Sequence, residues 1–152
     1  MKSAKFSPCR KYRYELWRWW DKSKGFVLFI GLNPSTADET SDDPTIRRCI
    51  NFVKDWGFGG LCMANLFAYR ATEPKQMMIS DEPIGPDNDI TLKNLALKAD
   101  MIVAAWGGNG VFNDRDKEVL SMIKRMLCLG KTKNGHPRHP LYVKRDTELI
   151  VL

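Results

Sequence analysis

What this sequence has little of narrows it first. Its four cysteines, Cys9, Cys49, Cys62 and Cys128, are scattered with no Cys-x-x-Cys pair, so neither a zinc cluster nor a disulfide framework is indicated. Reduced, largely buried thiols are expected. No apolar run approaches the roughly 20 residues that cross a bilayer, and nothing after Met1-Lys2-Ser3-Ala4-Lys5 resembles a signal peptide. The expected location is the cytoplasm, without membrane association. The sequence also lacks a G-x-x-x-x-G-K-[ST] phosphate loop, a G-x-G-x-x-G fingerprint, an H-E-x-x-H helix and a G-x-S-x-G elbow. Common nucleotide hydrolases, dehydrogenases, zincins and esterases are thereby disfavoured, and no cofactor is expected.

What is present is the material of one domain. The chain has 152 residues with 43% hydrophobic content, enough to bury a core, and residues 1–152 are read as a single unit without repeats. Twenty-four Lys and Arg against 18 Asp and Glu give a net charge of +6, which favours polyanionic partners without requiring them. Cations and aromatics interleave from Cys9 to Trp20, a mixture that suits phosphates and stacked bases. The alternation from Tyr12 to Trp19 equally fits a strand with an exposed basic face and a buried aromatic one.

The centre of the chain is Gly25-Phe26-Val27-Leu28-Phe29-Ile30-Gly31, a run apolar on both strand faces, followed by the turn Asn33-Pro34-Ser35-Thr36. Such a strand belongs in the middle of a parallel sheet. The short turn at 21–25 predicts that an edge strand over 11–19 pairs antiparallel with it. Asp43 and Pro44 predict a helix start, with Ile46, Cys49, Ile50, Val53 and Trp56 on its apolar face and glycines 57, 59 and 60 ending it. Further strands are expected at 61–67, 101–105, 127–129 and 148–152, with helices at 87–98 and 114–126 and one helical turn near 75–78. The alternation predicts an α/β fold, a three-layer α/β/α arrangement with a mostly parallel central sheet of four strands plus antiparallel edge strands.

Polar groups follow each apolar strand, where open α/β sheets hold their ligands. The candidate site residues there are Gly31, Leu32, Asn33, Pro34, Ser35 and Thr36 with Asp38 after the first, the polar ones being Asn33, Ser35, Thr36 and Asp38. Asn65, Phe67 and Arg70 follow the second, and Trp106 and Asn109 the third. His136, Arg138 and His139 lie in the last loop, which contains both histidines. If the strands are parallel neighbours, these groups share one rim.

Over nearly its whole length the chain resembles the bacterial and phage family catalogued as domain of unknown function 1643. The residues that carry this are 32–38, 42–48, 65–72, 105–107 and 136–142. Gly31-Leu32-Asn33-Pro34, Asn65-Leu66 with Arg70-Ala71-Thr72, and His136-Pro137-Arg138-His139-Pro140-Leu141 are also similar, more distantly, to motifs of the uracil and mismatch DNA glycosylase superfamily. That resemblance implies a uracil-DNA-glycosylase-like fold. It implies that Asn33 positions an attacking water, that a histidine, His136 or His139, stabilises the departing base, and that the residues after it wedge into a duplex. Asp38 or Asp42 would assist as a base. Ser35 stands where those motifs have glycine, and His139 is an extra residue within the second motif. The resulting expectation is a DNA or nucleotide partner and N-glycosidic hydrolysis. The alternatives are a non-catalytic nucleic-acid-binding module and an enzyme acting on a free nucleotide or nucleoside-like metabolite.

Overall fold

A computed structural model describes residues 1–152. It is α/β, with one mixed sheet of seven strands and four α-helices. The strands are β1 (Lys2–Phe6), β2 (Arg13–Trp19), β3 (Phe26–Gly31), β4 (Gly60–Asn65), β5 (Met101–Ala104), β6 (Met126–Cys128) and β7 (Ile150–Val151). The helices are α1 (Pro44–Asp55), α2 (Pro74–Met78), α3 (Asn88–Lys98) and α4 (Arg115–Met122). In the sheet the order is β1-β2-β4-β3-β5-β6-β7, with β4, β3, β5 and β6 parallel and the outer strands antiparallel. No helix is long and apolar enough to cross a membrane.

Strand β3 is buried at every position because both its faces are covered. Phe26, Leu28 and Ile30 pack with Met77 of α2, Leu92 and Leu95 of α3 and Val119 of α4, whereas Val27 and Phe29 pack with Ile46, Cys49, Phe52 and Val53 of α1. A strand apolar on both sides is most stable there. Helix α1 begins as its sequence predicts: Asp43 Oδ1 accepts from the Ile46 N–H at 2.9 Å and Pro44 takes the first helical position.

Two expectations about the N-terminal half are corrected. Strand β2 is not an edge strand and does not pair with β3; it lies between β1 and β4. Residues 21–25 cross over the start of β4 to reach β3. Trp20 and Asp21 N–H both donate to Gly59 O at 3.0 Å, and a Cβ on Gly59 would sit 1.6 Å from Asp21 O. Only glycine lets the crossing pass so close. Nor does β2 present an exposed basic face, since Arg13 and Arg18 are both buried. Lys5 pairs with Glu15 and Phe6 with Arg13, so Tyr14 has no partner on β1. This β-bulge shifts the alternation by one residue and puts Arg13 on the α1 side of the sheet, with Leu16 and Arg18.

Candidate functional site

A cleft of about 470 Å³ lies beyond the carboxyl ends of β3, β4 and β5. Strands β3 and β5 are neighbours from which the chain proceeds in opposite directions along the sheet, the place where α/β sheets gather ligands. One wall extends the sheet past its strands. Leu66 N–H donates to Gly31 O, Phe67 N–H to Leu32 O and Ala71 N–H to Pro34 O, all at 2.9–3.0 Å. Asn33 is fixed within this wall, because its Nδ2 donates to Ala71 O at 2.9 Å and Pro34 O at 3.1 Å. With its amino group spent, Oδ1 is the end left to accept from a ligand or water.

Gly31 and Asn65 are register partners. A Cβ on Gly31 would come 2.8 Å from Asn65 Oδ1, so glycine lets the amide lie over the strand end. Asn65 is 3% exposed, and its Nδ2 has no hydrogen-bond partner. Behind it the turn is held by two residues that sequence reasoning passed over. Asn88 Nδ2 donates to Asn65 O and Leu66 O at 2.9 and 3.0 Å, and Arg115 Nε donates to Leu66 O at 2.9 Å. Arg115 in turn is paired with Asp89 and Glu118. No periodicity marks either residue for that task, since each acts through a turn distant in sequence.

Trp106 follows β5, is buried, and leaves its indole N–H unpartnered. Gly110 packs on the indole edge, where a Cβ would fall 2.3 Å from Cδ1. Gly107 N–H donates to Pro137 O at 2.9 Å and ties this turn to the histidine loop. From that loop the cleft receives His139, Pro140, Leu141 and Tyr142. The His139 Nδ1 accepts from the Leu141 N–H at 3.2 Å, so the neutral ring carries its proton on Nε2. Burial pushes its pKa below the ordinary histidine value, against the opposing charge of Asp43. The ring is thus held as a neutral donor.

The structure brings together Gly31, Leu32, Asn33, Pro34, Ser35, Thr36, Asn65, Trp106, Asn109 and His139 around this cleft. It does not bring the others to it. His136 lies in the preceding turn, its N–H bonded to Thr132 Oγ1, and Arg138 is exposed beside Gly130. Asp38 is turned into its own loop, where Oδ1 accepts from Thr40 and Ser41 N–H at 2.9 and 2.8 Å. Those backbone donors hold its carboxyl below the usual range. Phe67 is buried against Phe112, and Arg70 lies over the Phe6 ring. Asp42 forms an ion pair with Arg18 at 2.6 Å.

Two charged residues not singled out for a site do line the cleft. Asp43 supplies its only carboxylate and Arg13 a buried guanidinium. Asp43 was legible as a helix cap, but Arg13 was hidden by the bulge. His/Cys/Asp/Glu groups with metal-binding geometry are absent.

No curated protein and no solved structure matches the chain. A family model does, across residues 13–141, from the cleft's arginine on β2 to Leu141 at its rim. The chain belongs to the family described as "Protein of unknown function (DUF1643)".

Proposed function

We propose that the cleft holds a nucleobase extruded from DNA and that the domain excises it by N-glycosidic hydrolysis. The observation that carries this reading is the convergence of Asn33, its amide held through Nδ2 so that Oδ1 is left to accept, with His139, a neutral ring with Nε2–H to donate. The reading includes a three-layer, glycosylase-like arrangement. It is supported by the parallel order β4-β3-β5-β6 and by separate apolar clusters on the two sides of the sheet.

In this mechanism Asn33 Oδ1 accepts a hydrogen bond from a water and aims its oxygen at C1′ of the sugar. The C1′–N bond breaks as the sugar becomes oxocarbenium-like, and its electron pair leaves with the base. His139 Nε2–H stabilises the negative charge on the departing base, while water adds to C1′ and its released proton neutralises the base. Leu32, Ala105 and Trp106 contribute apolar lining to the cleft that would take the extruded ring. At the rim, Leu141 and Tyr142, the latter 81% exposed, fit the part of a wedge that fills the gap in the base stack.

Base release from duplex oligonucleotides containing uracil, mismatched and modified bases tests this. At least one substrate should lose its base, and Asn33→Ala should slow release about 100-fold or more, the order lost when a single transition-state contact is removed. Silence from every substrate removes excision. A second reading, binding without cleavage, is favoured by one observation: Asp43 is the cleft's only carboxylate, and its Oδ1 is committed to capping α1. Steeply salt-dependent DNA affinity without product would select it.

A further inference from the structure

The cleft contains a cation with almost nothing to hold. Arg13 is 2% exposed and lines the cavity, yet its guanidinium makes one hydrogen bond, from Nη1 to Ala37 O at 3.1 Å. Its Nε is buried without a partner, and no carboxylate lies within 4.0 Å. Burial pushes its pKa down to about 10, with Asp43 opposing and the cations Arg70 and Arg18 adding to the effect. Taking a charge out of water without an opposite charge or full hydrogen bonding is expensive. Arg115 shows how this chain treats a buried guanidinium that serves the fold: it is bonded to Leu66 O, Asp89 and Glu118.

The surroundings specify what is missing. The first turn of α1 faces the same cleft through Pro44 and Thr45; its end is capped by the Asp43 carboxylate, which accepts from the Ile46 N–H, and Pro44 has no N–H, so the turn adds only the Thr45 N–H as a donor. Ser35 and Thr36 line the cavity as well and bring hydroxyl donors. A planar fork of N–H groups beside hydroxyl donors matches a phosphoryl group, which accepts several hydrogen bonds at once and carries the balancing charge.

We infer that Arg13, with the Ser35 and Thr36 hydroxyls and the Thr45 N–H, forms a phosphate-binding subsite, so that the ligand is a nucleotide rather than a nucleoside or free base. This rests on the reading of the cleft as a base site for the identity of the remaining part of the ligand. The phosphoryl group is either the phosphodiester next to an extruded base or the phosphate of a free mononucleotide.

The experiment is calorimetric titration of the full chain with inorganic phosphate, a panel of deoxynucleosides including deoxyuridine, their 3′- and 5′-monophosphates, and a short single-stranded oligonucleotide of matched base. At least one monophosphate, or the oligonucleotide, should bind ten- to a hundredfold more tightly than its nucleoside, the range of a charge-assisted hydrogen bond. Arg13→Met should abolish that ratio, and Arg13→Lys should retain part of it. Should Arg13→Met fail to fold, Arg13→Lys and competition by inorganic phosphate against the wild-type complex carry the test. Preference for the oligonucleotide identifies the phosphodiester; preference for a monophosphate identifies the free nucleotide. Equal binding of nucleoside and nucleotide, or a ratio unchanged in both Arg13 variants, overturns the inference and leaves the base site standing. Arg13-dependent binding of inorganic phosphate with no nucleoside preference keeps the subsite and removes the base reading. Absence of binding by every probe overturns both.

Discussion

Strand β2 carries a buried arginine at each end, and the two are treated in opposite ways. Arg18 is stitched into the loop that precedes α1. Its Nε pairs with Asp42 Oδ1 at 2.6 Å, and its two terminal nitrogens donate to the carbonyls of Ser3, Trp17, Asp38 and Ser41 at 2.6–3.4 Å. Arg13, equally buried, donates to one carbonyl. Burial therefore does not distinguish a structural cation from a binding one; the tally of unspent donors does. Arg18 completes its shell within the chain, and Arg13 does not, which leaves donors for a ligand.

The contrast can be broken most sharply at Arg18. Arg18→Met strands Asp42 and several carbonyls, and should lower stability by about 3 kcal/mol. That corresponds to roughly 6–12 °C in melting temperature for a chain of this size. Melting within a degree or two of wild type would end the distinction. Asp42→Asn should be milder, about 1–2 kcal/mol by urea unfolding, because it leaves Arg18 buried with its carbonyl partners but without its counter-charge. Arg13→Met should change unliganded stability by less than about 1 kcal/mol, since it removes a costly charge along with a single hydrogen bond. A loss as large as that of Arg18→Met would show Arg13 to be structural.

The smallest effect expected is at His139, which lines the same cleft as Arg13. Its folded-state pKa is depressed by burial, so the unfolded chain takes up a proton near pH 6.5 before the folded chain does. Stability contributed by the neutral ring is complete above that pH and is lost as pH falls through the lower folded value. His139→Gln should flatten the decline in melting temperature between pH 6.5 and 5. An unchanged slope would mean that the ring protonates freely.

Much of the arrangement was legible because local signals agreed with the global fold. The β3 run is apolar at successive positions, as a strand covered on both sides requires, and Asp43-Pro44 announces α1 by cap chemistry alone. The convergence of Asn33, Asn65, Trp106 and His139 followed from placing parallel strand ends side by side. What was not legible depended on contacts between segments far apart. The 21–25 turn looks like a hairpin because nothing nearby reveals that it must cross Gly59, and Gly59 itself reads as a helix stop. Arg13 looked exposed because the pattern from Tyr12 to Trp19 reads as unbroken, and the bulge is fixed by pairing with β1. Of two histidines flanking one proline-rich turn, only the fold selects His139 for the cleft.

The unpaired Tyr14 sets the phase of the pleat, and with it the direction in which the strand's first residue points. Giving that tyrosine a partner, by inserting one residue between Lys5 and Phe6 of β1, would restore strict alternation and swing the guanidinium to the α3 side of the sheet, leaving the cavity without its cation although every cavity-lining side chain was kept. Here specificity resides in a residue count as much as in residue identity, so an insertion in β1 opposite the bulge should change ligand charge preference before it changes the fold.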